Sequence, residues 1–352
     1  MDDDSCSQCF NNSVFCCNML KVVGINDIDR KAWDDLVKSS AVASWFQTKE
    51  AYVFFSRLPF LETFALAIEN DGQLKGVIVG YVQKEGGMLK QFFSRRAIIL
   101  GGPLLAINIV KDELVKLLNE LKANLKRKAI YIEIRNFNDY GGWSEVYEEC
   151  GFKYEPHYDV LIDTSSVDAI NGRLDRNRKR NIKKAVENGL VIEQELTEKE
   201  VRQFYSMLTD LYREKVKTPL FPLSFFLELY KTGLGHFFIA KNAQGELIGG
   251  LVCVALADNT VYAWYACGDD QNYKQLSPSV MVNYSGICYA AEHGYSKFDF
   301  MGAGKPDDGG YGVRDFKLKF GGELVKYGRN VFVCNPVLFE LGKLGVKLLK
   351  RI

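Results

Sequence analysis

Histidine is scarce in this chain. His157, His236 and His293 are the only three among 352 residues, they lie far apart, and none sits in a spaced ligand motif, so no metal centre is implied. An excess of either charge is missing as well. Forty-five Lys and Arg oppose 44 Asp and Glu, and the net charge of +1 excludes a global pull towards nucleic acid or anionic lipid. Electrostatic recognition therefore has to be local. No apolar run approaches the roughly 20 residues that span a bilayer. Aspartates stand at positions 2 to 4, where a secretory signal needs basic residues, so the expected location is the cytoplasm. There is no GxSxG, which leaves a serine hydrolase unsupported. GAGK, at positions 302–305, continues into Pro306, and the first glycine of a phosphate loop would fall on Asp299, so no nucleoside triphosphate site is expected.

A disulfide framework is not needed either. Cys150, Cys253, Cys267, Cys288 and Cys334 are scattered through apolar or helical segments, as buried thiols usually are. Cys6, Cys9, Cys16 and Cys17 crowd into residues 1–19, but adjacent cysteines fit a tetrahedral zinc site poorly and no ligand pair follows at finger-like spacing. That segment reads as a loose extension before the fold begins.

What the chain does have is apolar material, 47% of residues with 13% aromatic, enough for large cores. Its length favours two domains of about 150 residues each. A repeat supports this. LAIENDGQLKGVIV (66–79) aligns without gaps on IAKNAQGELIGGLV (239–252), matching Gly72 to Gly245, Leu74 to Leu247 and Gly76 to Gly249. Each copy predicts a β-hairpin. The surroundings match in order: two helical segments before the hairpin, then a strand, a helix (NIVKDELVKLLNELKANLKRK or SPSVMVNYSGICYAAEHG), a strand (AIYIEIRNF or KFDFMGA) and a short helix. Helices on a mostly antiparallel sheet with one parallel crossover make an α+β fold, in duplicate.

The stretch YGVRDFKLKFGGEL, Tyr311 to Leu324, carries the chemistry. Phe316 and Phe320 have helical i, i+4 spacing, so their rings can anchor a short helix while Lys317 points off it. Phe316, Lys317, Phe320 and Gly321 resemble the FKxxF-Gly signature of the FemABX family, the non-ribosomal peptidyltransferases that build interpeptide bridges in peptidoglycan. SWFQTKEA, LGGPLL, RNRKRNIKKAVENGL and the run from Tyr262 to Gly302 add further points of contact, and the resemblance covers residues 44–335. It implies two tandem GNAT-like domains with mixed sheets flanked by helices: residues 20–160, joined by a C-terminal helix at 333–352, and residues 161–332. The long helical arm that some members carry has no counterpart between residues 190 and 230.

The resemblance implies transfer of an aminoacyl group from aminoacyl-tRNA to a peptidoglycan precursor amine, with the precursor UDP-linked or lipid-linked and no resident cofactor. An ester-linked aminoacyl group is already activated, so oxyanion stabilisation and proton removal suffice. Lys317 is the candidate catalytic cation; its alternative is to snorkel beside Phe320. Tyr265 lies where the family places a substrate-contacting tyrosine. Asp299 either accepts the amine proton or pairs with Lys317 or Arg314; the sequence leaves both open. The basic run supplies Arg176, Arg180 and Lys183 on one helix face, suited to phosphate or simply solvated. Arg314 and Phe316 complete the expected substrate-binding set.

Two rival classes are separable. An acyl-CoA-dependent GNAT N-acyltransferase of envelope or polysaccharide biosynthesis needs a diphosphate loop of the type R/QxxGxG/A, and the corresponding linkers read LGGPLLAIN and DDQNYKQLSPSV, where Ser277 and Pro278 are expected to cap the helix. A non-catalytic scaffold binding a nucleotide sugar or RNA would tolerate loss of Lys317. The C-terminal PVLFELGKLGVKLLKRI can touch a membrane at most peripherally, and is expected to pack on the first domain.

Overall fold

A computed structural model describes residues 20–83, 95–216, 219–307 and 312–349. The four amino-terminal cysteines lie outside the described residues. Lys21–Gly24 (β1), Leu61–Asn70 (β2), Gln73–Gln83 (β3), Arg96–Gly101 (β4), Leu104–Leu105 (β5), Tyr131–Asn136 (β6) and Lys153–Glu155 (β7) belong to one sheet. Asp159–Asp163 (β8), Val191–Glu193 (β9), His236–Lys241 (β10), Leu247–Leu256 (β11), Thr260–Gly268 (β12), Lys297–Asp299 (β13) and Glu323–Val325 (β14) form a second. Arg329–Val333 (β15) then returns to the first sheet, between β6 and β7. The strand order is β1-β2-β3-β4-β6-β15-β7 in one and β14-β8-β13-β12-β11-β10-β9 in the other. Among the described residues each holds a single parallel pair, β4 with β6 and β12 with β13, and is otherwise antiparallel.

The hairpins obey the repeat with one correction. On the outgoing strands the gapless alignment holds, and the same bulge occurs in both: Ile68 and Glu69 pair with Gly76 and Leu74, Ala240 and Lys241 with Gly249 and Leu247. On the incoming strands the copies slip by one residue. The reason is the turn. Asp71 and Gly72, at φ 50° and 75°, make a two-residue turn of the kind that matches strand twist. In the second copy Ala243 to Gly245 intervene, and Gly245 N donates to Asn242 O at 2.9 Å.

Arg30–Ser39 (α1), Lys49–Ser56 (α2), Lys111–Leu125 (α3) and Ser144–Glu149 (α4) flank the first sheet. Val167–Arg173 (α5), Arg176–Glu187 (α6), Glu198–Leu211 (α7), Leu223–Thr232 (α8), Pro278–Glu292 (α9) and Gly312–Leu318 (α10) accompany the second, and Pro336–Leu349 (α11) follows β15. Leu114, Leu117, Leu118, Leu121 and Leu125 give α3 the apolar stripe that covers β2 and β3. In α11, the Phe339 ring lies 5.3 Å from Tyr131 of β6. Among the described residues no helix is long and apolar enough to cross a membrane.

The two lobes share one aromatic core. Phe46, Phe54 and Phe55 of the first interlock with Phe225, Tyr262 and Trp264 of the second: Phe46 to Trp264 at 5.0 Å, Phe46 to Tyr262 at 5.3 Å, Phe54 to Phe225 at 5.4 Å, all edge-on. Such contacts add about 0.5–1.5 kcal/mol each beyond area burial, so the lobes are docked rather than tethered.

Candidate active site between the lobes

Strands β12 and β13 run together for three residues, Thr260 to Tyr262 against Lys297 to Asp299, and then part. The cause is a kink. Met301 sits at φ 55° and Gly302 at φ 113°, backbone that a methionine adopts only when its surroundings hold it there. Four hydrogen bonds do so. Met301 N donates to Asp299 Oδ1 at 2.6 Å, Gly302 N donates to Asp159 Oδ1 at 2.8 Å, and Lys317 Nζ donates to the carbonyls of Phe300 at 2.8 Å and Gly302 at 2.5 Å.

Opposite the kink, β3, β4, β6 and β15 of the first sheet close a cavity of about 440 Å³. Part of the lining is aromatic, from Tyr81, Tyr212, Phe221, Trp264 and Tyr265. Another part is polar and charged, from Arg96, Glu133, Arg135, His157, Asp159 and Arg329. That size and mixture suit a small ligand or the reacting end of a larger one.

Asp159, which sequence reasoning did not single out, joins Asp299 and Lys317 in a buried group. Burial raises both carboxyls, Asp299 well above its ordinary value, and the neighbouring Asp159 raises Asp299 further. Like charges this close cannot both ionise, so Asp299 keeps the proton and donates it to Asp159. Asp159 also accepts from Val160 N at 2.7 Å. Burial lowers the Lys317 amine, with the two acids opposing that shift. Asp299 hydrogen-bonds Asp159, a partner outside the choice that the sequence posed, while the Lys317 amine is taken up by the Phe300 and Gly302 carbonyls. Arg314 goes elsewhere: its Nε donates to Ala303 O at 2.9 Å, its Nη2 to Lys305 O at 2.5 Å, and its guanidinium lies 4.7 Å from the Tyr158 ring.

The other expected site residues are placed as follows. Tyr265 lines the cavity, and burial holds its hydroxyl protonated by raising its pKa well above the usual value. Lys317 stands behind the Gly302 wall and is not itself a lining residue. Arg176, Arg180 and Lys183 are exposed on α6, away from the cavity, and Lys183 reaches Glu187 at 3.8 Å. Phe316 packs in the second lobe's core. Its ring meets Phe320 at 5.5 Å, and Arg178 stacks on both, 4.2 Å from Phe316 and 5.0 Å from Phe320. Gly321 completes the arrangement at φ 83°, where a Cβ would stand 2.5 Å from Arg173 O. The signature is thereby explained: two rings clamp α6, a glycine lets α5 approach, and the lysine between the rings braces the kink.

Both long crossover helices start on the protein's own carboxylates. At α3, Glu113 accepts from Val110 N at 2.9 Å and from Asn70 Nδ2 at 2.8 Å. At α9, Asp270 accepts from Ser279 N at 3.2 Å. Ser277, expected as a cap, instead adopts φ 45° and makes no side-chain cap.

Residues 172–317 match the acetyltransferase (GNAT) domain family. Among solved structures the chain is similar to FemX, with a TM-score of 0.69 and 16% identity over 91% of this chain and 99% of that one. The chain has the FemABX-like tandem GNAT fold. The tandem GNAT protein from the clavulanic acid biosynthesis pathway is also similar, at a TM-score of 0.60 and 12% identity over 90% of this chain and 99% of that one. So is L-PGS from Bacillus licheniformis, at 0.56 and 13% over 91% and 96%. A comparison with curated protein sequences gives no match. In this tandem GNAT chain the cavity lies between the lobes, beside the parting of β12 from β13.

Proposed function

We propose that this protein transfers an aminoacyl group from aminoacyl-tRNA to the amine of a peptidoglycan precursor peptide, within the cavity between its lobes. The observation that carries the reading is the pair of acid-filled helix starts. A GNAT enzyme binds the CoA diphosphate through amides at such a helix start, and a carboxylate already seated there repels the diphosphate. The FemABX resemblance supports an activated tRNA ester as donor in its place.

The cavity residues then take roles. Asp159, its carboxyl raised by burial, is a better base than an ordinary aspartate and takes the proton from the attacking amine. Tyr265 donates its hydroxyl to the tetrahedral oxyanion. Asp299 hydrogen-bonds Asp159 and Lys317 supplies the opposing charge, so both position the base. The exposed Arg176, Arg180 and Lys183 suit a phosphate backbone outside the cavity.

The test is to present the purified protein with charged tRNA or with acyl-CoA, each alongside a precursor pentapeptide, and to weigh the products. The reading expects an aminoacylated peptide from the tRNA donor. An adduct that forms from acyl-CoA alone contradicts it and favours a CoA-dependent N-acyltransferase.

A further inference from the structure

Two guanidinium groups in the cavity wall converge on one oxygen. Arg135 Nε and Arg329 Nη1 both donate to Glu133 Oε1, at 2.8 and 2.6 Å. Glu133 is only 8% exposed, and among the described residues Arg135 bonds no other acceptor. One carboxylate cannot neutralise two guanidiniums. Among the described acids nearby, Glu155 pairs with Lys305 at 3.0 Å while also acting on Arg329, and Asp159 faces Lys317. Arg329 Nη2 continues to His157 Nε2 at 3.1 Å, and burial, reinforced by Arg329 and Arg135, pushes the imidazole down to about 4. It is therefore neutral at physiological pH and adds no negative charge. Arg96 of the neighbouring strand β4 lines the same wall, where it holds Gln83 Oε1.

His157 points the same way. A guanidinium only donates, so Nε2 must be the acceptor and Nδ1 must carry the hydrogen. Among the described residues that Nδ1 is buried without a partner. A surplus of positive charge on the cavity lining, beside a buried donor without a partner, is unfavourable unless an anion completes it.

We infer that Arg135, Arg329 and His157 form an oxyanion subsite of the inter-lobe cavity, for a carboxylate or phosphate group carried by the acceptor. The acceptor's identity rests on the transferase reading; the subsite does not. Planar forks of N–H donors match either oxyanion in bidentate fashion. His157 also flanks Gly302, its Nε2 3.6 Å from where a Cβ would stand, and Gly302 N is bonded to Asp159. The subsite thus adjoins the Gly302 wall that Asp159 holds. The acceptor class this selects carries its amine and an acidic group close together.

The experiment is thermal-shift titration of the full chain with acetate and with inorganic phosphate at constant ionic strength. The expected result is saturable stabilisation by at least one; acetate names a carboxylate, phosphate a phosphoryl group. Arg329→Gln should weaken that binding at least about tenfold, the loss of one charge-assisted hydrogen bond. Glu133→Gln should tighten it several-fold, because both guanidiniums are released to the ligand, a gain that structural damage does not produce. No saturable shift with either anion in the wild type, or no tightening in Glu133→Gln, overturns the subsite. Transfer activity is not read here, so the donor assay and this titration fail independently.

Discussion

The ammonium of Lys317 holds Gly302 by its carbonyl at 2.5 Å, while Asp159 holds the same glycine by its N–H at 2.8 Å. One residue is thus gripped from both sides by opposite charges, and the strained turn at Met301 and Gly302 depends on that grip. The grip also couples the lysine of the signature to the cavity without exposing it.

Lys317→Met removes the donor from two carbonyls and leaves Asp159 without its opposing charge. Denaturant unfolding should show a loss of about 3 kcal/mol. Adding Asp159→Asn should cost less than its own single-mutant effect, because the uncompensated acid is gone. Additive losses would mean that the two residues do not act together.

Arg178→Lys tests the reading of the signature as a clamp. The replacement keeps the charge but loses the flat stack on Phe316 and Phe320 and the bond to Phe316 O at 3.0 Å. We expect a loss of about 1–2 kcal/mol in unfolding free energy. An unchanged midpoint would show that the rings do not need the guanidinium.

Acid should reveal His157. Burial holds its imidazole at about 4 in the folded state against 6.5 for an ordinary histidine, so the folded protein binds fewer protons there than the unfolded chain. Its contribution is intact above pH 6.5 and is lost as pH falls from 6.5 to 4. Glu133, where burial raises the carboxyl but Arg135 and Arg329 outweigh it and hold it at about 2, keeps its contribution down to about pH 4.5 and loses it from there towards 2. The midpoint of thermal unfolding should drop between pH 6.5 and 4, and His157→Asn should lessen the drop. An identical slope in the variant would contradict the burial argument.

Because aromatic rings from both lobes build one core, calorimetry should give a single cooperative transition, and Trp264→Ala should lower it by roughly 3 kcal/mol without splitting it. Two resolved transitions would mean that the lobes are energetically separate.

Much of this architecture was legible in the chain. Hairpins announce themselves through Gly72 and Gly245, whose left-handed backbone the turns require, and the order of elements around them revealed the duplication. The slip between the hairpins was not, since turn length is fixed by local φ values that composition does not display. Lys317 and Asp299 were visible because a short motif and an alternating strand flag them. Asp159 was not: it opens an unremarkable strand, and only the pairing of β8 with β13 brings it beside Asp299, 140 residues later in the chain. The Arg135, Arg329 and Glu133 cluster was hidden for the same reason, as β15 joins β6 only after the whole second lobe has intervened.

The most direct measurement is the single-turnover rate of transfer from a purified aminoacyl-tRNA to a precursor pentapeptide, by wild type and by Asp159→Asn, across pH 6 to 9. The account predicts transfer by the wild type and a rate about 10²-fold lower or worse in the variant, with unchanged circular dichroism. Transfer at the wild-type rate by Asp159→Asn, or none by the wild type, would contradict it.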